Sequence, residues 1–583
     1  MKYFGVGRLF LTFAVILFHS VVLNAQVQQA ASNPVPFIGQ PLAPASAKPG
    51  THGITVSIKG AGFVSGSVVQ WNGQALPTTF VSAESLTAAV PQSTLARAGI
   101  AIVTVVNPAP GGGSSNLAFF EVTAATPTAM MFEIRTSTPT PTYSLVAGDF
   151  NGDGKLDLAV STGPTLSILL GKGDGTFNVT TYPTTAQFVG TLVAGDFNGD
   201  GKLDLAFPDP SNNLVYLLLG NGDGTFTEVS TTAVGSNPVW AVAGDFNGDG
   251  KLDLAVVNQS DGSVSILLGN GDGTFAPQSA VKVGTTPNAV TVADFNGDGN
   301  LDLAVVNSGS NNVSILLGAG DGTFILKSSP STGTSPFGIV ASDFNGDGKV
   351  DLAVTNQCGN AKSCKHPTFG SVSILLGAGD GTFSVTSKVL VDHGNPLGIA
   401  AGDVNADGKT DLVVVGLNES AALILPGNGK GAFGAPIPMM RFAPPFAGYV
   451  AVGDFNGDGR LDFAENNPNA IDGIIGVSVQ TQSAVAFYPQ TLHFPPQTVG
   501  TTSSPKTMKF ANIGIVPVNI SKLQTAGPFA ETNDCSATLP AGARCTVTVT
   551  FSPTRVGITG ASVVVTDDAL GGNQYGGLVG TGQ

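Results

Sequence analysis

DFNGDGKLDLAV, residues Asp149 to Val160, is the first of seven near-copies of one word. The other six open at Asp196, Asp245, Asp294, Asp343, Asp403 and Asp454, at intervals of 47, 49, 49, 49, 60 and 51 residues. A period of this size marks a repeated supersecondary unit that buries its apolar face only by stacking on its neighbours. Each copy places side-chain oxygens at its first, third, fifth and ninth positions, in the first copy Asp149, Asn151, Asp153 and Asp157. Three carboxylates so close together repel one another unless a cation neutralises them. Oxygen-only donors at alternate positions suit calcium, and Gly154 at the sixth position permits a sharp turn around an ion.

The residues around the word read as strands. In the copy at Asp294, AVTVA enters the loop DFNGDGNLD and LAVVN leaves it; a turn SGSNN, the run VSILLG, the turn AGDGTF and a further extended stretch follow. The runs are β-branched and too short for helices, so each repeat is four strands joined by hairpins. Four-stranded units at this period describe the blades of a β-propeller, which protects its sheet edges by closing into a ring. The seventh copy ends after IIGVSVQT and lacks the GDGTF word. MMFEIRTSTPT (Met130 to Thr140) lines up with GTFNVTTYPT (Gly175 to Thr184). Met130 to Arg135 is therefore expected to pair into the last blade and lock the ring.

The loop words resemble the FG-GAP/VCBS repeat family, which forms the integrin α-chain propeller, and the resemblance spans all seven copies. It implies calcium, up to seven ions, held by the first, third, fifth and ninth side chains and by the seventh backbone carbonyl. In copy one the ligands are Asp149, Asn151, Asp153, Lys155 through its carbonyl, and Asp157. Copy two gives Asp196, Asn198, Asp200, Lys202 and Asp204, and copy three Asp245, Asn247, Asp249, Lys251 and Asp253. Copy four gives Asp294, Asn296, Asp298, Asn300 and Asp302, and copy five Asp343, Asn345, Asp347, Lys349 and Asp351. Copy six gives Asp403, Asn405, Asp407, Lys409 and Asp411, and copy seven Asp454, Asn456, Asp458, Arg460 and Asp462. The varied seventh position fits a backbone ligand whose side chain points away. No helix with a twelfth-position Glu follows any loop, which argues against EF-hands. Copy six departs at Val404 and Ala406 but keeps its ligands. The Phe residues of DFN and GTF are expected to pack between blades. Asp174, Asp223, Asp272, Asp321 and Asp380 sit in Gly-Asp-Gly hairpin turns, a structural placement that Lys430 in copy six also fits.

Composition agrees. The chain has 583 residues, 42% hydrophobic and 11% charged, enough for several buried cores. Its 78 glycines without a collagen period point to many tight turns. The net charge of −15 excludes a general nucleic-acid binder. Three Asp in each of seven copies account for 21 of the 40 acidic residues, and one divalent ion per copy would bring the net charge to about −1. Residues 1–25 read as a signal peptide: Lys2 and Arg8, then the apolar run Leu9 to Phe18, then a cleavage edge at Ala25. That run is short for a membrane span, and no second one is evident, so a secreted or surface-held protein is expected. In an exported chain, the close pairs Cys358 with Cys364 and Cys535 with Cys545 read as local disulfides, although other pairings are open.

Two further modules flank the propeller region, 125–485. Residues 33–124 show short alternating runs (ITVSIKG, SVVQWNG, LTAAVP, AIVTVVNP) broken by Gly, Pro and Asn, as in a β-sandwich. Their order resembles the IPT/TIG family of immunoglobulin-like domains, in which Trp71 would support the fold. Residues 486–583 resemble the ASPM/SPD-2/Hydin (ASH) type of immunoglobulin-like domain, with Cys535 and Cys545 flanking a Leu-Pro-Ala-Gly turn. The expected fold is all-β: a seven-bladed propeller between two immunoglobulin-like sandwiches. The long interval holds an insertion, CGNAKSCKHPTFG, expected to emerge opposite the metal loops. Its Lys362, Lys365 and His366 make it a candidate recognition loop.

Catalysis needs a nucleophile with a base, paired acids in a cleft, or an open metal site. The five histidines, His19, His52, His366, His393 and His493, are scattered among modules, and the carboxylates are committed to the loops. No enzyme is expected. The sequence points to an adhesion or protein-interaction scaffold with an extracellular protein or glycan as partner. With two Trp and seven Tyr, the lectin alternative ranks second.

Overall fold

The computed structural model describes residues 32–96, 99–122, 132–136, 143–358, 370–391, 395–405, 407–416, 422–438, 448–457, 460–467, 474–480, 485–488, 491–512, 517–540, 543–567 and 573–583. The leader reading on 1–25 lies outside them, as do Asp458, Cys364, Lys362, Lys365 and His366. The described chain is all-β, and no helix in it is long and apolar enough to cross a membrane.

Seven four-strand antiparallel units form the ring, the third with one short extra strand. In blade one the strands are Ser144–Gly148, Asp157–Ser161, Thr165–Gly171 and Phe177–Pro183, paired in that order. The second strand is buried along its whole length, because both its faces meet neighbouring blades. The fourth strand is largely exposed and carries Asn and Thr there. The same contrast recurs in blade two between Asp204–Asp209 and Phe226–Ala233. Blades one to six thus bury their second and third strands against their neighbours, which is why those runs read as unbroken apolar words.

Closure follows the sequence expectation. Phe132–Thr136 pairs antiparallel with Ile474–Gln480, giving the last blade its fourth strand beside Asp462–Asn467 and Val450–Gly453. Phe132 lies opposite Gln480, the register at which Phe177 lies opposite Gly171 in blade one.

The joints between blades are built from the two sequence words. The Phe of one loop meets the GTF Phe of the next blade edge-on: Phe150 with Phe226, Phe197 with Phe275, Phe246 with Phe324, Phe295 with Phe383, and Phe344 with Phe433. Phe455 of blade seven meets Phe177 of blade one across the closing joint. A backbone bond runs beside most pairs, as where the Gly224 N–H donates to the Phe150 carbonyl at 3.0 Å and Gly175 to Phe455 at 2.9 Å. Copy six has buried Val404 in place of the Phe, and Phe132 holds the GTF register in the next blade. Truncating Phe295, which is 2% exposed, should cost about 3–5 kcal/mol, the usual range for a buried aromatic. Urea melting of Phe295→Ala checks this, and a loss under about 1 kcal/mol would mean the joint repacks freely.

The first module has two sheets, one built on Phe37–Ala43, Ile54–Ala61, Ser85–Val90 and Thr78–Ser82, the other on Ser46–Ala47, Ala118–Val122, Gly99–Asn107 and Val68–Trp71 with two short strands. Both contribute to one core, in which Trp71 lies 5.0 Å from Phe120. Trp71 therefore supports the fold, as expected. The last module is likewise two sheets over one core, with Cys535 bridged to Cys545. Cys358 is also disulfide-bonded; its expected partner lies outside the described residues.

Candidate metal centres

The nine-residue loops share one hydrogen-bond pattern. In copy one, Asp149 Oδ1 accepts the N–H groups of Gly152 (2.7 Å) and Asp153 (3.1 Å), and its Oδ2 accepts that of Gly154 (2.8 Å). Asn151 Oδ1 accepts from Asp153 N–H, and Asp153 Oδ1 from Lys155 N–H. Asp196, Asp294 and Asp343 lead their loops in the same way. The turn needs Gly154 at φ 81°, a left-handed value that glycine adopts without strain.

The ninth Asp does more than the sequence suggested. Asp204 is fully buried; its Oδ2 accepts the Phe197 N–H at 2.8 Å and its Oδ1 the Gly220 N–H at 2.8 Å, tying loop to third strand. A Cβ on Gly220 would lie 2.1 Å from the Leu203 carbonyl oxygen, so the final Gly of VSILLG-type runs is sterically required. Burial pushes Asp157, Asp204 and Asp351 up to about 6, Asp253 and Asp302 to about 7, and Asp411 to about 8. Carboxylates of the same loop add to the rise.

The seventh side chain corrects the expectation that it points away. Lys155 Nζ lies 3.4 Å from Asp153 Oδ2, and Lys202, Lys251 and Lys409 pair with Asp200, Asp249 and Asp407 at 3.8, 3.7 and 3.0 Å. The lysine stem also covers the following Gly-Asp-Gly turn: a Cβ on Gly173 would lie 3.2 Å from Lys155 Cδ. The loops and those turns therefore share one end of the ring. These exposed pairs are weak counter-charges.

The turn aspartates are structural. Asp174 Oδ1 accepts from Thr176 N–H (2.9 Å) and Thr176 Oγ1 (2.6 Å), which hold its carboxyl below the ordinary value, and Asp223, Asp272, Asp321 and Asp380 repeat this. In copy six Asn428 Oδ1 caps the turn and Lys430 merely donates its N–H.

Among the described residues, the one trio of His, Cys, Asp or Glu ligand atoms within 4.8 Å of one another is Asp534, Cys535 and Cys545, whose sulfurs are spent in the disulfide. The carboxylates of the loops form no such trio among the described residues. Their oxygen-only donors, mutual repulsion and shared turn fit a hard divalent ion.

The proton linkage has a definite sign. A carboxyl raised above its unfolded value binds more protons when folded, so its stabilising effect is complete at low pH and is lost as pH rises through the folded value. Without divalent ions the melting temperature should fall between about pH 5 and about pH 8.5, and saturating calcium should remove the fall. Scanning fluorimetry in chelator and in calcium checks this; a flat profile in chelator would contradict the burial argument.

Where the first module sits is not written in any motif. It packs on the loop end of the ring. The Val35 N–H donates to Asp245 Oδ2 at 2.9 Å, and a Cβ on Gly250 would lie 2.4 Å from the Asn33 carbonyl oxygen. A cleft of about 600 Å³ runs along this seam, bordered by Lys59 and Glu84 of the module and Asp294, Asp343, Lys349 and Lys409 of the loops. Nearby, Glu121 is buried against the sixth and seventh loops. Burial first, and then Asp403, pushes its carboxyl well above the ordinary range, with Arg460 opposing. Its one sequence signal was a lone acid inside the apolar run LAFFEV. A second contact missed from sequence stacks Trp240 of blade three on Tyr449 at the entry to blade seven, with centroids 5.2 Å apart.

A family model described as FG-GAP-like repeat matches residues 149–207, 196–256, 245–305, 294–354, 364–414 and 403–464, and one described as IPT/TIG domain matches 40–122. No curated protein matches the chain. Among solved structures, an auxiliary nutrient binding protein from Bacteroides ovatus is similar at 11% identity, with 76% of this chain and 97% of that chain covered and a TM-score of 0.36. BBS1N in complex with ARL6DN is similar at 12% identity over 60% of this chain and 98% of that one, with a TM-score of 0.44. The ASH / PapD-like domain of human CEP192 is similar at 18% identity over 18% and 86%, with a TM-score of 0.14.

Proposed function

Starting from the premise that this chain belongs to the FG-GAP-like repeat family and carries an IPT/TIG domain, we propose that it is an exported, non-catalytic binding scaffold. Its propeller is stiffened by calcium and holds an extracellular protein. The observation that carries the reading is the recurrence of one loop geometry, with an oxygen-rich turn above a buried ninth carboxylate, in blade after blade. The first, third, fifth and ninth side chains and the seventh carbonyl would hold each ion. Calcium, when bound, supplies the positive charge that these acids otherwise lack. The chain's own part is to preset the turn through the first Asp and to anchor it to the sheet through the ninth. Carboxylates employed in this way are poorly placed to act as acids or bases on a substrate, and we assign no catalytic residue.

The last module is read as an ASH-type domain and residues 1–25 as the export signal. A small glycan is the second reading, favoured by the seam cleft, whose volume lies in the usual range for small-molecule sites. The test is capture of surface proteins by the immobilised full chain, in calcium and in chelator, alongside a glycan array. Calcium-dependent retention of defined proteins supports the scaffold. Glycan binding that Lys349→Glu abolishes, with no protein retained, reverses the order, and turnover of a polysaccharide by the purified chain overturns the non-catalytic reading.

A further inference from the structure

We infer that Glu121 of the first module completes a divalent-cation site with the sixth loop, so that an ion bound there fastens the module to the ring. This rests on reading the nine-residue loops as calcium sites and adds to it a ligand from outside the repeats.

Four observations meet at Glu121. It is 2% exposed, and neither of its carboxylate oxygens has a hydrogen-bond partner. Its strand, Ala118–Val122, pairs in parallel with Ser46–Ala47, and Glu121 lies opposite Ser46. Register partners present their side chains on the same face of a sheet, and the Ser46 side chain hydrogen-bonds Asp403, the first residue of the sixth loop. Glu121 and Asp403 also line one cavity of about 20 Å³, with Ser342 and Thr410 in its wall. That is room for a single water-sized particle.

The charge balance favours a cation there. The charged groups that act most strongly on Glu121 are Asp403, Arg460, Asp411 and Asp454, three carboxylates and one guanidinium. An uncompensated carboxylate buried in this way is strongly unfavourable, whereas an oxygen donor added to an acidic loop is what a hard divalent ion requires. The sixth loop is deeply covered: Asp403 is 6%, Asn405 1% and Asp411 0% exposed. In copies one and two, by contrast, the bonds of the leading Asp to the turn lie in exposed surroundings.

The test uses the full chain as wild type, Glu121→Gln, Asp407→Ala and Asp200→Ala, with the two double variants that include Glu121→Gln. Bound calcium is counted by native mass spectrometry at limiting free ion, and melting is followed in chelator and in calcium. The expected result is one ion fewer for Glu121→Gln, with one site weakened by about tenfold or more. In chelator Glu121→Gln should melt no lower than wild type, since it removes a buried carboxyl that has no hydrogen-bond partner; in saturating calcium it should melt lower. That reversal would not arise from a merely structural side chain. Glu121→Gln should add nothing to the calcium response of Asp407→Ala and its full effect to that of Asp200→Ala. An unchanged ion count and affinity in Glu121→Gln, with wild type binding calcium, overturns this inference alone and identifies Glu121 as a protonated or water-bonded group. Wild type that binds no calcium overturns it together with the reading of the loops.

Discussion

Stripping divalent cations should lower the melting temperature of the propeller by roughly 20 °C relative to millimolar calcium, the largest single effect expected of this molecule. A ligand that binds only the folded state stabilises it by about 2.7 kcal/mol at a hundredfold excess over its Kd. Several such sites sit in one cooperative ring, and a large domain moves by about 2 °C or more per kcal/mol. Charge acts in the same direction. Removing the ion leaves a buried ninth Asp beside the first and fifth carboxylates of its loop, with at most an exposed lysine to offset them. Differential scanning calorimetry with and without chelator measures the shift. A difference of a degree or two would mean that the turns are stable on their hydrogen bonds alone.

Replacing residues 128–140 by a Gly/Ser linker of equal length should abolish cooperative melting of the propeller or lower it by more than about 10 °C. The strand Phe132–Thr136 is the last blade's outer strand, and without it Ile474–Gln480 has an unpaired edge. The closing joint is also at risk, because Phe455 and Phe177 meet there only while blade seven is whole. A ring that loses one joint exposes two blade faces, whereas a linear array would lose only its end. The linker keeps the tether to the first module, so the effect reports on closure. An unchanged, single calorimetric transition in calcium would show that the ring holds without this strand.

Much of this architecture was legible in the sequence because it is written in local words repeated at one period. Four-strand blades, the Phe residues at the joints and the closing strand all follow from patterns that recur or conspicuously fail to recur. The structural part of the ninth Asp was not legible: its second bond goes to a glycine 16 residues on, as from Asp204 to Gly220, which no spacing rule announces. Nor was the lysine at the seventh position, whose reach back to the fifth Asp depends on the loop being folded. The docking of the first module was invisible for a different reason. Contacts such as Val35 with Asp245 join residues 210 apart and involve a backbone N–H, which every residue but proline offers. Trp240 and Tyr449 meet across the ring in the same unannounced way.

The most direct test of calcium binding by the loops is a calorimetric titration of calcium into the chelator-stripped chain. Saturable binding of several ions, up to seven, is expected, with one fewer in Asp249→Ala and the rest retained. Absence of binding at millimolar calcium, in protein that remains folded, would contradict it.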